Sequence, residues 1–358
     1  MAVATKTDSA GPHKWLIHDE VVHLREWASN VIHPLPAPVL SKEEKRTIGA
    51  AEGSWLRLQD AELRVSRQHA QLTYEPPFGW TLSDLRSKNG VWLDGEQRAS
   101  PFPITPGIEI RIGGITLIAE SPRLCALREL LSRLIGWPPE HHEAVDLALR
   151  SVRVAATQQE PLLLCAKGGN ISIARLLHRY TIGADRPFVV CDPRRVEADE
   201  NARAATNYKS GLVAFAAAST GTLCVWRNRL PKDYTQVEES RRKPTARVLL
   251  VVCSLGPPHG ADIPCQLVVP RLADRALELH RIIEAYAADA VAEFGGTFTP
   301  EDRDWIAQHE STTLAQIETA TRRLVAIDAA GEQITRAASQ LGVNHGTLSV
   351  WFARRKAP

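Results

Sequence analysis

The side chains with the clearest capacity for chemistry crowd the end of the chain: Asn344, His345, Thr347 and Ser349, then Arg354, Arg355 and Lys356. An amide, an imidazole and two hydroxyls can donate to and accept from base edges in a nucleic-acid groove, and consecutive cations can meet phosphates. Elsewhere the candidates resolve into plainer roles. The six cysteines (125, 165, 191, 224, 253 and 265) include no CxxC pair, and none has a histidine at zinc-site spacing, so reduced, structural thiols are expected. His141 and His142 beside Glu140 and Glu143 read as the solvated start of a helix. Lys167 reads as a loop charge in a glycine turn, and Arg271 and Arg275 as supports for the helix they open. No catalytic constellation, metal site or cofactor is expected.

The terminal side chains need two crossed helices to present them, and ITRAASQLGVNHGTLSVWFARRK has that pattern. Ala337 and Ala338 allow close helix approach, Leu341 faces inward, and Gly342 ends the first helix in the left-handed conformation that glycine tolerates best. Val343 is expected in the corner. Thr347 would cap or start the second helix, whose buried face carries Leu348 and Trp351. A preceding helix, TLAQIETATRRLVAIDAAG, supplies the third packing surface. This spacing predicts a helix-turn-helix whose second helix enters the major groove of DNA. The segment resembles the Fis-type domain that ends many bacterial enhancer-binding activators. It departs from that family at Asn344, His345 and Gly346, where basic residues are usual, so binding is expected to depend on two copies presented together.

A chain of 358 residues is long enough for two or three domains. Its formal net charge of +2 excludes a bulk polycation, so contact with nucleic acid must come from a local patch. No signal-type N-terminus and no apolar run of membrane-spanning length is present; a soluble, cytoplasmic protein without membrane contact is expected. To about Glu120, short alternating segments such as VVHLREW, HAQLTY, GVWLDG and ITLIAE are punctuated by Gly, Pro and Asp, the pattern of an antiparallel β-sandwich. From Ser121, helical segments alternate with the apolar strands PLLLC, PFVVCD, GTLCVW and RVLLVVCS, as in an α/β layered domain. GGTFTPED reads as a linker, and helices follow it. The expected organisation is multidomain: 1–120 β-sandwich, 121–296 α/β domain, 300–358 all-α helix-turn-helix.

Within the first domain, TIGAAEGSWLRL, VSRQHAQL and SDLRSKNGVWLDG resemble, in order, the forkhead-associated (FHA) domain, a β-sandwich whose loops bind phosphothreonine peptides. The core motifs cover 47–95, with earlier strands from about Trp15. The resemblance implies that Ser66 and Arg67 bind phosphate, Lys88 flanks it and Asn89 bonds the ligand backbone. Gly49, His69 and Gly90 would be structural. A hydroxyl and a guanidinium suit a dianion, and an amide suits a peptide. The family's phosphate-binding arginine follows the first glycine, where this chain has Ala50. That removes a donor which lysine or serine replaces imperfectly.

The middle domain resembles the AAA+ domain of sigma-54-dependent activators through its IARLLH helix, GTL strand and PRLADR segment. The resemblance implies stations for nucleotide chemistry, and these are degenerate. Asn170 stands where the P-loop lysine belongs, after Gly169, and Leu164 replaces the first glycine. Trp226 and Arg227 replace the two carboxylates that close the GTL strand. Cys253 followed by Ser254 stands at the sensor position, and KSGLVAFAAA is the nearest segment to the GAFTGA sigma-contact loop without matching it. A pseudo-ATPase that binds no nucleotide is expected.

These features together point to a non-enzymatic, DNA-binding transcription regulator. Its FHA module senses or docks a phosphothreonine protein, and its degenerate AAA+ core serves a homo-oligomer or a hetero-oligomer with related activators. The alternative is an FHA-based interaction scaffold in signalling or secretion without direct DNA binding.

Overall fold

The computed structural model describes residues 19–36, 44–75, 79–194, 206–256 and 263–356. The start expected from about Trp15 therefore lies outside the described residues as far as His18. The chain divides into two compact units, one built mainly from Met1–Ser132 and Trp137–Gln158 and the other mainly from Gln159–Arg179 and Gly183–Pro358.

The first unit is a sandwich of two sheets. Its strands are β1 (His23–Glu26), β2 (Ile32–Pro34), β3 (Glu44–Gly49), β4 (Leu56–Arg57), β5 (Ala70–Glu75), β6 (Gly79–Asp84), β7 (Val91–Leu93), β8 (Glu96–Arg98), β9 (Phe102–Pro103), β10 (Glu109–Ile112) and β11 (Ile115–Glu120). One sheet has the order β2-β1-β11-β10-β7-β8 and the other β4-β3-β5-β6-β9. All pairs are antiparallel except β3 with β4. Period-two alternation sends Leu24, Ile48, Leu72, Leu82, Val91, Ile110 and Leu117 into one shared core, each fully buried.

Two helices also bear on this unit: α1 (Pro122–Ile135), most of which belongs to it, and α2 (His142–Gln158). The compact unit thus runs past Glu120. The tie is a buried ion-pair network. Arg25 on β1 donates from Nε to Glu120 Oε1 at 2.8 Å, and its two terminal nitrogens reach the Asp146 carboxylate on α2 at 2.6 and 3.0 Å. Asp146 also accepts from the Ala28 backbone N–H at 2.8 Å, and Arg25 donates to the carbonyls of Glu26 and Ser29. All three charged side chains are essentially unexposed. With its lone pairs and protons so fully matched, the network tolerates burial.

The second unit contains a six-stranded, wholly parallel sheet. Its elements are β12 (Leu162–Cys165), α3 (Asn170–Thr181), β13 (Phe188–Cys191), β14 (Thr206–Tyr208), α4 (Gly211–Ala217), β15 (Thr222–Trp226), α5 (Tyr234–Arg241), β16 (Leu249–Ser254) and β17 (Cys265–Val268). The order is β14-β13-β15-β16-β12-β17. The strands are buried at nearly every position, as covering on both faces requires. Leu163, Val189, Leu223, Leu250 and Val252 share one cluster with Ala214 of α4 and Val237 of α5.

The helical end of this unit comprises α6 (Leu279–Phe294), α7 (Pro300–His309), α8 (Leu314–Ala329), α9 (Ile334–Leu341) and α10 (His345–Lys356). The segment read as a linker holds a helix start: Thr299 and Asp302 form a capping box with Pro300 in the first turn. Thr313 and Gln316 do the same for α8. Gly342 terminates α9 at φ 61°, as its position suggested. Among the described residues, no helix is long and apolar enough to cross a membrane.

Substituting Asp146→Ala strands the buried Arg25 charge. It should lower the stability of the first unit by ~3–5 kcal/mol, whereas Arg25→Met combined with Asp146→Leu should recover much of the loss. Urea unfolding curves of the wild type and both variants provide the measurement; equal losses in the single and double variants would contradict the network's role.

Candidate phosphopeptide and nucleic-acid surfaces

Three loops meet at one end of the sandwich, after β3, before β5 and between β6 and β7. His69, wholly buried, holds the last two together. Its Nδ1 accepts from the Ser66 N–H at 3.0 Å and its Nε2 faces the Gly90 carbonyl at 3.1 Å. Since a carbonyl only accepts, Nε2 carries the proton and the tautomer is set. Leu85 N–H donates to the His69 carbonyl, and His69 N–H to that of Ile48. The first loop joins through Ala50 N–H to Ser66 O at 3.0 Å and Ala51 N–H to Arg67 O at 3.1 Å. Gly49 makes that approach possible: a Cβ there would lie 2.2 Å from the Arg67 carbonyl oxygen. Gly90 supplies the left-handed turn, at φ 68°.

On this frame the structure brings the four phosphopeptide candidates to adjoining loops. Ser66 Oγ accepts from the Lys88 N–H at 3.1 Å. That bond satisfies one lone pair and leaves the hydroxyl proton to donate outward. Asn89 spends one amide proton on the Arg64 carbonyl at 2.7 Å, which fixes the side chain while its oxygen stays available. Arg67 and Lys88 are exposed, and neither has an ion-pair partner among the described residues. Asp84 braces the loop, accepting from Ser87 Oγ at 2.6 Å, and Ser87 Oγ accepts in turn from Gly90 N–H.

Arg86 is a further exposed cation in the same loop, held at φ 58°. Sequence reasoning passed over it, although it stands inside the quoted SDLRSKNG. Ala50 is half-buried against the sandwich core, so the position after the first glycine offers no donor side chain. The loops therefore place the Ser66 hydroxyl and the Asn89 amide beside the exposed Arg67, Arg86 and Lys88, a set chemically suited to a doubly charged oxyanion.

At the other end of the chain, Leu348 and Trp351 are buried with Ala337 and Ala338, as their spacing required. Val343 differs: it is 38% exposed instead of packed into the corner, because the turn after Gly342 carries it outward. The second helix begins at His345, two residues ahead of Thr347, and Asn344 caps it by accepting from the Thr347 N–H at 3.3 Å. Asn344, His345, Thr347 and Ser349 are all exposed. The terminal cations are engaged within the unit. Lys356 reaches Glu332 at 2.7 Å, Arg355 reaches Asp302 at 3.2 Å and lies over the Trp305 ring, and Arg354 approaches Glu310 at 3.7 Å. Trp351 packs edge-on to Trp305 and donates to Glu310 at 3.0 Å. Carboxylates on α7, just after it and in the α8–α9 turn thus hold these side chains.

In the second unit the segments around Gly169 and Asn170 are closed by packing and hydrogen bonds. Asn170, wholly buried at the start of α3, donates to the Leu164 and Ser254 carbonyls at 3.2 and 2.9 Å. It thereby pins the ends of β12 and β16. Gly169 lies against the start of α8; a Cβ there would be 2.8 Å from Ala315 Cβ. Trp226 closes β15, and Arg227 opens the 3-10 turn that follows it. Arg229, in that turn, pairs with Asp192 at 2.9 Å.

The FHA domain model matches residues 46–113. No curated protein matches the chain. Among solved structures, one resembling it is Mycobacterium tuberculosis EmbR in complex with a low-affinity phosphopeptide: 28% identity over 28% of this chain and 24% of that one, TM-score 0.25. Another is the N-terminal FHA domain of S. cerevisiae Rad53p in complex with a phosphothreonine peptide: 23% identity over 28% of this chain and 93% of that one, TM-score 0.26. A third, from a study of phosphothreonine-dependent FHA domain interactions, shares 25% identity over 28% of this chain and 95% of its own, TM-score 0.24. The matched stretch coincides with the strands and loops that assemble around His69, and residues 46–113 are an FHA domain.

Proposed function

We propose that the chain is a DNA-binding transcription regulator whose FHA domain docks a phosphothreonine-bearing protein and whose α/β core links that event to the terminal helices without hydrolysing nucleotide. The phosphopeptide part rests on Ser66 Oγ, which accepts from the Lys88 N–H at 3.1 Å and so keeps its own proton free to donate, beside the exposed Arg67 and Lys88. The peptide phosphate would take the Ser66 hydroxyl and the Arg67 guanidinium, with Lys88 flanking it and Asn89 bonding the peptide backbone. The exposed Asn344, His345, Thr347 and Ser349 would face bases, and Arg354, Arg355 and Lys356 would meet phosphates after exchanging their internal partners. Two copies held together, as a homo-oligomer or with a related activator, would offset the missing basic residues at the start of α10. The ion pairs of the terminal cations favour a second reading, in which this face stays closed and the chain is a scaffold between proteins.

A phosphothreonine peptide should bind the full chain more tightly than its unphosphorylated counterpart in a fluorescence-anisotropy titration. Arg67→Ala or Ser66→Ala should each weaken it by about 10- to 100-fold, the equivalent of one charge-assisted hydrogen bond. Ala50→Arg should strengthen it. Equal affinity for the two peptides would leave docking without phosphate recognition.

In gel shifts at low salt the chain should retain duplex DNA. Replacing Arg354, Arg355 and Lys356 by glutamine should weaken binding uniformly and flatten the salt dependence by about one unit of slope for each phosphate interaction removed. Substituting Asn344 and Ser349 should alter sequence preference instead. Absence of any retention favours the scaffold.

Labelled ATP should neither bind nor turn over. Asn170→Lys should not restore binding, because the loop remains closed by Ala315; nucleotide binding by either protein would refute the pseudo-ATPase assignment.

A further inference from the structure

We propose that His23, Glu120 and Cys125 form a binding site for a zinc-class divalent metal ion at the edge of the first unit. The three residues come from different elements: His23 opens β1, Glu120 ends β11, and Cys125 lies in the first turn of α1. Antiparallel register places His23 directly opposite Glu120. Their side chains meet, with His23 Nε2 2.8 Å from Glu120 Oε2, and Cys125 Sγ closes the triangle at 3.7 Å from the imidazole and 4.0 Å from the same carboxylate oxygen. All three donor atoms lie within 4.8 Å of one another.

Those separations are near what one ion requires. Tetrahedral zinc with its usual bond lengths sets ligand atoms about 3.4 Å apart for nitrogen and oxygen, and about 3.6 Å apart where sulfur is one of the pair. His23 and Glu120 need only open by a few tenths of an ångström, and the sulfur needs only to draw in. One imidazole, one thiolate and one carboxylate form a borderline-soft set that selects zinc or cobalt over magnesium and calcium, which take oxygen ligands. The imidazole keeps 13% of its side-chain surface in solvent, and Cys125 is partly exposed, so water can take the fourth position.

An ordinary histidine–glutamate pair would need nothing behind the carboxylate. Here Glu120 Oε1 is fixed by the Arg25 Nε at 2.8 Å, and Arg25 is itself held by Asp146. Such outer hydrogen bonds orient a ligating carboxylate. Arg128, which acts on Glu120 electrostatically, lies 3.6 Å from Asp146. The two guanidiniums are thus opposed by the two carboxylates, and a Cys125 thiolate adds the negative charge that offsets a dication. Coordination takes the thiolate and the neutral imidazole, so metal binding releases protons.

The test uses the reduced, full-length chain and Co(II) alone, followed by absorption. A saturable one-to-one thiolate-to-cobalt charge-transfer band is expected, abolished by Zn(II) in competition. Cys125→Ser should remove the band with the fold intact by circular dichroism. His23→Gln, at the solvent edge and therefore the safer variant for folding, should weaken Co(II) binding at least tenfold. Zn(II) should also raise the melting temperature of the wild type and leave that of His23→Gln unmoved. The proposal is overturned if the wild type gives no saturable band, or if the band survives undiminished in Cys125→Ser or His23→Gln.

Discussion

Burying an imidazole is tolerable only when both ring nitrogens have partners, and at His69 those partners lie on two different loops. The cost of leaving either nitrogen unpaired fixes the separation of the Ser66 backbone from the Gly90 backbone. Everything on the phosphopeptide rim depends on that spacing. Ser66 can accept from Lys88 N–H, and Asn89 can reach the Arg64 carbonyl, only because the loops are held at that distance. Gly49 adds the complementary constraint, since any side chain there would push the Arg67 carbonyl and the first loop apart. A rim built this way is already ordered before a ligand arrives, so little binding energy goes into ordering it.

The opposite kind of constraint operates at β1. Arg25 is a charge in a dry interior, made tolerable by Asp146 on α2 and Glu120 on β11. Because each partner sits on a different element, the ion pairs make helix and sandwich interdependent; the domain is larger than its recognisable motif. The matched family stretch stops at residue 113, yet the strand that closes the β1 sheet and the helix that pairs with Arg25 lie beyond it. His23 and Cys125 stand where this network reaches solvent. The same carboxylate that satisfies Arg25 on one oxygen meets the imidazole on the other.

Legibility in the sequence followed the range of the interactions. Local rules were readable: alternation marked β5, β7 and β11, continuous apolar runs marked β12, β13, β15 and β16, and Gly342 marked the end of α9. Ser66, Arg67, Lys88 and Asn89 could be named together because they lie in two short segments of recognisable pattern, and the structure sets them on adjoining loops. Errors arose where two local signals compete. Thr347 and Asn344 are both good caps, and the turn after Gly342 decided for Asn344. TPED resembles a linker until Thr299 and Asp302 are seen to bond reciprocally. Interactions across long stretches left no trace: Arg25 and Asp146 are 121 residues apart, and His23 and Cys125 are 102 apart. Screening cysteines for neighbouring histidines in sequence cannot find such a set.

The core of the second unit is braced at Asn170. A lysine at position 170 would need its ammonium in water or against an anion, whereas Asn170 lies in the interior because it can donate to two carbonyls at once. Its bonds join the ends of β12 and β16 and make the start of α3 a strut between strands. Ala315 then packs onto Gly169, which brings the start of α8 against the same turn. The terminal helices are held differently. Arg354, Arg355 and Lys356 sit on carboxylates that are themselves partly solvated, pairs of small individual worth. Salt screens such pairs, so they hold the terminal cations less firmly as ionic strength rises.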